Sequence, residues 1–403
     1  MNMNAVLLVL TALGLSVQTF AAVTVTNVTC QQHYPWNGLV DIDYEIQSDD
    51  AEAKYWVYPK GTDNRLGKRV IMNTLSGDGA TNYVGVGRHR MVWDAKADMP
   101  KFHTPDLQVT LQVISDGAKY LVIDISGGTN AVTYPVRYST EGPDLSDICK
   151  TDEIWLRLIL PGTFIMGSPA TEYRHQSQSE EQHRVTLTKP YYIGIFEITQ
   201  RQWEYVMGTN PAECKGDCRP IERVSYGDIR GYSLGAQWPT SNAVDEASFM
   251  GELRKKTLLV WDLPTEAQWE YACRAGTLSS ANTGKEISWY IYDSVMDEVG
   301  RYTSNNGSNK GGYSGGSAAV GYFKGNAWGL YDMHGNVWEW CRDYYNDHVG
   351  SLPVTDPPGW SNGGRSARGG GWDSEAGDCR SARRASGNKN NQTGFRAVVL
   401  PFE

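Results

Sequence analysis

The chain is poor in the features that mark many binding and catalytic classes. Basic residues are in the minority: 37 Lys and Arg against 46 Asp and Glu give a formal charge of −9. That balance excludes a general electrostatic affinity for nucleic acid. Long apolar runs are lacking. The one near the start, Ala5 to Leu15, is too short to span a bilayer, and no later stretch is long enough to do so. There is no H-E-x-x-H, which removes the common zinc-protease reading, and no G-x-S-x-G elbow or nucleophile–base pair stands out. The Gly/Ser/Asn-rich stretch from Ser304 to Ala319 lacks the Lys-Ser/Thr of a phosphate-cradling loop. Helical periodicity is sparse throughout.

The first residues also lack Lys and Arg. Small residues at Thr19, Ala21 and Ala22 nevertheless follow the apolar run as a cleavage site would. Residues 1–22 therefore read as a secretory signal and place the protein outside the cytoplasm, secreted or periplasmic; a buried first strand or helix is the alternative. No Cys follows the run closely enough for a lipid anchor.

What is abundant is Gly (43), Tyr (23) and Trp (14), with 40% hydrophobic residues. This favours a loop-rich fold stitched by aromatic packing. Residues 23–145 contain "LVDIDYEI", "KYWVYP", "HRMVWDA", "LQVTLQVI" and "KYLVIDI". These are short alternating runs between turn clusters and predict an all-β sandwich. His33, His89 and His103 are scattered through it and form no site. The polar stretch 146–153 reads as a linker, and a second domain follows over 154–403. Three helices are expected there. "TQRQWEYVMG" has a capping box at Thr199 and Gln202, and "SNAVDEASFMGELRKKT" starts at Ser241. "PTEAQWEYACRAG" has its box at Thr265 and Gln268 and ends at Gly276.

Four segments of the second domain belong together: "GTFIMGS" (Gly162 to Ser168), "LPTEAQWEYACRAG" (Leu263 to Gly276), "GLYDMHGNVWEWCRDYY" (Gly329 to Tyr345) and "RGGGWDS…CRSARR…TGFR" (Arg368 to Arg396). In this order they resemble the formylglycine-generating enzyme, or sulfatase-modifying factor, family. The resemblance implies an α+β, loop-rich, C-type-lectin-like domain behind the β-sandwich. It also implies a calcium site on Asp332, the Gly335 and Val337 carbonyls, and Glu339. The competing reading is that Asp332 caps a turn and Glu339 pairs with an Arg. A second family calcium site would fall near 300–320, where no Asp aligns.

Enzymes of this family oxidise a sulfatase cysteine with copper and oxygen, holding Cu(I) between two thiolates. Here Ser374 occupies the first cysteine position and Cys379 the second, and Gly371 stands where the family has Ser. A hydroxyl is no soft anionic ligand at neutral pH. Cys341 could instead bridge to Cys379, with Cys273–Cys379 as the alternative pairing, and Cys214 with Cys218 would form a local disulfide. Arg365, Arg368 and Arg383, if exposed, would make a rim for an anionic ligand, and Trp338, Trp340 and Trp372 could line the same groove.

Three readings follow. The first is a secreted binding or scaffold module of this family with an incomplete copper–cysteine site, whose partner is an extracytoplasmic protein, a sulfatase peptide or an anionic glycan. The second is a copper-dependent oxidase with a rearranged site. The third is a structural envelope protein.

Overall fold

The computed structural model describes residues 23–401, except 71, 101–103, 105, 290, 308–314, 361, 388 and 391. The expected signal segment lies outside the described residues. The described residues divide into two units, one formed by 23–119 with 137–140, the other by 120–136 with 141–401. It is mostly β and loop-rich, with few and short helices.

The first unit contains two antiparallel sheets. Strands Val23–Gln32, Leu39–Ser48, Gly87–Asp94 and Leu75–Gly77 form one, in that spatial order; Lys68–Val70, Tyr55–Asp63 and Leu107–Ser115 form the other. The period-two pattern is direct: Val40, Ile42, Tyr44 and Ile46 are buried, while Asp41, Asp43 and Glu45 alternate with them on the other face. Across that outer face Arg90 pairs with Asp43 at 2.5 Å. Both sheets contribute to one apolar cluster that includes Ile42, Tyr55, Val57, Trp93 and Leu111.

The second unit starts earlier than composition suggests. Strand Tyr120–Asp124 was expected in the first domain, yet it pairs antiparallel with Glu153–Ile159, Val122 opposite Trp155. Leu121, Val122 and Ile123 are all buried, so both faces of this strand are covered and its run is continuously apolar. The expected linker also carries structure, since Ile148–Thr151 is a helical turn with Cys149 buried. Glu153–Ile159 pairs in turn with Tyr191–Gly194, then Val398–Val399, then Trp261–Asp262. A second sheet is built on strand Trp338–Tyr344. It lies antiparallel to Arg365–Arg368 and parallel to Thr393–Gly394, so the last two of the four family segments meet in it.

The helices Gln200–Met207 and Glu266–Arg274 start on the capping boxes read in the sequence, Thr199/Gln202 and Thr265/Gln268. The third begins later than expected. Ser248, not Ser241, caps Phe249–Thr257, because Asn242 to Ala247 are spent in turns and Asp245 caps a separate loop. Among the described residues no helix is long and apolar enough to cross a membrane.

Candidate functional site

The loop after Arg368 is shaped by two glycines with left-handed backbone, Gly369 (φ +93°) and Gly370 (φ +80°). A β-carbon on Gly370 would come within 2.6 Å of Cys379 Sγ, so the glycine is what lets the chain pass the sulfur. The loop then closes on itself. The Gly371 amide donates to Ser374 Oγ at 2.9 Å and the Ser374 amide donates to the Gly371 carbonyl at 2.9 Å. Hydrogen bonds from Trp372 N to the Asn336 carbonyl and from Gly335 N to the Gly369 carbonyl, both 2.7 Å, tie it to the "DMHGN" segment.

Cys379 lies at the end of this loop, fully buried in a small apolar cluster with Ile287, Met296, Tyr302 and Ala376. Burial, then the charges of Asp378 and Asp373, push its thiol far above the ordinary range. That environment disfavours the thiolate that a soft metal needs. The donor set at the family's copper position is therefore one buried thiol and one hydroxyl already engaged in a turn. It does not fit Cu(I).

The expected disulfides are also not formed: all seven cysteines are free. Cys341 packs in the main core with Trp269 and Leu330, whereas Cys379 belongs to the separate cluster just described. Cys273 lies in that main core, its sulfur near Ser381 Oγ at 3.6 Å and His334 Nε2 at 3.8 Å, so neither pairing of Cys379 exists. In the "CKGDC" loop, Cys214 Sγ faces Gly316, while Cys218 Sγ faces Asp147 at 3.6 Å; the two side chains serve different neighbours.

The implied calcium segment holds a buried acidic centre. Glu339 grips Arg396 through both oxygens at 2.6 Å, and its Oε2 also accepts from Trp269 Nε1 at 2.8 Å. Glu197, not read from the sequence, accepts from Asn336 Nδ2 at 2.6 Å and Val337 N at 3.0 Å. Asp332, in a left-handed conformation at φ +56°, accepts from Gly321 N at 2.6 Å through Oδ2. Its Oδ1 is buried with no hydrogen-bond partner. Burial pushes Asp332 up to about 6 and, with Asp332 and Glu339 as neighbours, lifts Glu197 far above the carboxylate range. Three carboxylates against the one guanidinium of Arg396 leave two negative charges uncompensated when all are ionised.

A divalent cation would cancel that excess, and the orphaned Asp332 oxygen is a hard ligand for it. The residues thus fit calcium at Asp332, beside the backbone of Gly335 and Val337. Glu339 is committed to Arg396 and supplies charge more than a free oxygen. Among the described residues no three His, Cys, Asp or Glu side chains converge as a ready-made metal cage.

The proposed anionic-ligand rim is absent, because its arginines point inward. Arg365 donates to the carbonyls of Ala236 (2.6 Å), Arg342 (2.9 Å) and Trp238 (3.3 Å), and its guanidinium lies 3.4 Å from the Tyr344 ring centre. Arg368 is fully buried and pairs with Glu270 at 2.5 Å. Arg383 is mostly covered and pairs with Asp378 at 2.9 Å. Arg380 holds Glu172 and Glu180, and Arg384 holds Glu266 at 2.6 Å. The physical reason is the irregular chain. Carbonyls outside any ladder still need donors when buried, and a guanidinium offers five from one side chain. Trp340 is likewise internal, its Nε1 donating to the Val224 carbonyl at 3.0 Å.

His334 is a buried strut. Its Nδ1 meets the Cys379 carbonyl at 2.7 Å and its Nε2 accepts from Asn282 N at 3.0 Å, which fixes the neutral tautomer. Burial pulls it down to about 4 and pushes neighbouring Cys273 up to about 12, so the two do not form a thiolate–imidazolium pair. His183 is buried against the Glu181 carbonyl at 2.9 Å.

The sulfatase-modifying factor enzyme 1-like domain matches residues 149–400. The chain belongs to this family. Chaperone protein LppX of Paenibacillus barcinonensis is 31% identical over 226 residues, spanning 50% of this chain and 75% of that protein. The formylglycine-generating enzyme of Thermomonospora curvata is 34% identical over 159 residues, spanning 35% of this chain and 50% of the enzyme. Among solved structures, Treponema denticola variable protein 1 is similar at 26% identity and a TM-score of 0.48, over 62% of this chain and 96% of that one.

Proposed function

We propose that this protein is a member of the family without the copper-oxidase chemistry, acting outside the cytoplasm as a binding or scaffold module on a C-type-lectin-like domain. The leading β unit serves as a spacer or docking element. The observation that carries the reading is that the family's copper loop offers the turn-engaged hydroxyl of Ser374 and a single cysteine, Cys379, packed in an apolar cluster. The name of the Paenibacillus relative, a chaperone protein, supports a binding role. Calcium at Asp332 has a structural part: it neutralises the buried carboxylates and fixes the segment before strand Trp338–Tyr344. Equilibrium dialysis against Cu(I) buffered by a competing thiol tests this reading. No stoichiometric copper is expected on the protein, and one tightly held copper per chain would overturn it.

A further inference from the structure

Of the cations crowded into the last forty residues, Lys389 is half exposed. With Arg223 it stands at the rim of an open pocket of about 340 Å³. That volume is at the lower end of the roughly 300–1,000 Å³ usual for small-ligand sites. Met207, Pro211 and Val224 give the pocket an apolar lining.

Tyr232 forms one wall. It is 71% exposed, yet it is fixed. Its hydroxyl meets Ser225 Oγ and Asp228 Oδ1, both at 2.8 Å, and its ring lies so close to Gly227 that any β-carbon there would overlap it. An exposed aromatic ring already held in place loses little freedom when a ligand stacks on it.

The polar groups of the pocket are unbalanced in one direction. Asp228 accepts from Ser225 N at 2.8 Å, Tyr232 OH at 2.8 Å and Lys389 Nζ at 3.0 Å. Asp245 accepts from Ser233 N at 2.9 Å, Leu234 N at 2.6 Å and Gly235 N at 3.4 Å. These acceptors are used. Lys389 has three N–H groups and Arg223 five, and their ion pairs are with Asp228 and with Glu213 at 3.3 Å. Lys389 and Arg223 keep N–H groups beyond these pairs, so a ligand that brings acceptors can be met there. Cations beside an apolar floor and an aromatic wall select a carboxylate with an apolar group next to it.

We propose that this pocket binds a peptide segment in which a carboxylate adjoins an apolar side chain. The carboxylate sits between Arg223 and Lys389, and the side chain enters toward Met207 and Val224 under Tyr232. This goes beyond the reading of the cysteine loop and does not depend on it.

Calorimetric titration of the full chain with Gly-Gly-Leu as free acid, the same peptide as its amide, and digalacturonate tests the proposal. The free acid is expected to bind, with the amide about tenfold weaker, as loss of a charge-assisted contact implies. Arg223→Gln and Lys389→Gln should each weaken the free acid about three- to tenfold, and Tyr232→Ala should weaken acid and amide alike. Because these side chains are exposed, unchanged thermal melts will show that the variants fold. Equal binding of acid and amide, indifference to both charge substitutions, or binding of none of the three probes would overturn the proposal. Binding of digalacturonate without the peptide would overturn the choice of ligand and leave a uronate site in its place.

Discussion

Glu339 and Arg396 are joined by two parallel hydrogen bonds of 2.6 Å, both side chains buried, with Glu339 on the central strand and Arg396 in the final "TGFR" motif. Arg396 also donates to the carbonyls of Gly194 at 3.0 Å and Tyr331 at 3.0 Å, so one side chain ties three segments together. Its removal leaves Glu339 beside Glu197 and Asp332 with no counter-charge. Arg396→Met is expected to cost about 3–5 kcal/mol, as breaking one side of a buried pair does. Arg383→Met, at a partly exposed pair, should cost under about 1 kcal/mol. Chemical denaturation of both variants checks the contrast.

The calcium proposed at Asp332 would make stability depend on that metal. Burial raises this carboxyl to about 6 from 3.8, so without metal the folded state holds the proton more tightly than the unfolded chain does. The metal-free protein should therefore lose stability as pH rises from about 4 to about 6. Calcium, binding the ionised form, should restore it and raise the melting temperature at pH 7. Asp332→Asn should melt at the same temperature with calcium or with chelator. A wild-type melt indifferent to calcium at pH 7 contradicts the assignment.

His334 acts with the opposite sign. Its folded pKa is depressed to about 4 from 6.5, so the unfolded chain takes up the proton first and stability falls as pH drops through that interval. The full loss is about 3 kcal/mol. Asp343, lifted by burial and by Glu266 to about 7, works against it over much of the same range. The informative quantity is the difference in stability between wild type and His334→Gln. That difference should shrink steadily from pH 6.5 to pH 4, and a constant difference would contradict a neutral buried imidazole.

All seven cysteines are thiols in this fold, and four of them, Cys149, Cys273, Cys341 and Cys379, are buried. Titration with a thiol reagent in denaturant, with no reductant added, should count seven. In the native protein only Cys30, Cys214 and Cys218 should react quickly. A count of five or fewer in denaturant would mean that at least one expected disulfide forms after all.

Much of the second unit was legible because its signals are local. The capping boxes at Thr199 and Thr265 named two helix starts, and the order of four motifs pointed to the family. The direction of the arginines was not legible, since an Arg on a turn reads the same whether it faces water or a buried carbonyl. A clue was present in "TEAQWEYACR". Glu266, Glu270 and Arg274 recur every four residues on the helix that also buries Trp269 and Cys273, and charges on such a face must be paired inside. The limit of the first unit was misread for a related reason. "YLVID" is strand-like in composition, but only tertiary pairing assigns it to Glu153–Ile159. Glu197 gave no sequence signal, because its role depends on Asn336 and Val337 about 140 residues away.

The most direct measurement is the fate of a sulfatase-type Cys-x-Pro-x-Arg peptide kept in air with the protein and Cu(I). Ser374 supplies no thiolate and leaves Cys379 as the single sulfur of the loop, so the peptide thiol should disappear no faster than with copper alone, and no aldehyde should form. Catalytic conversion of the peptide to its formylglycine form would contradict the account.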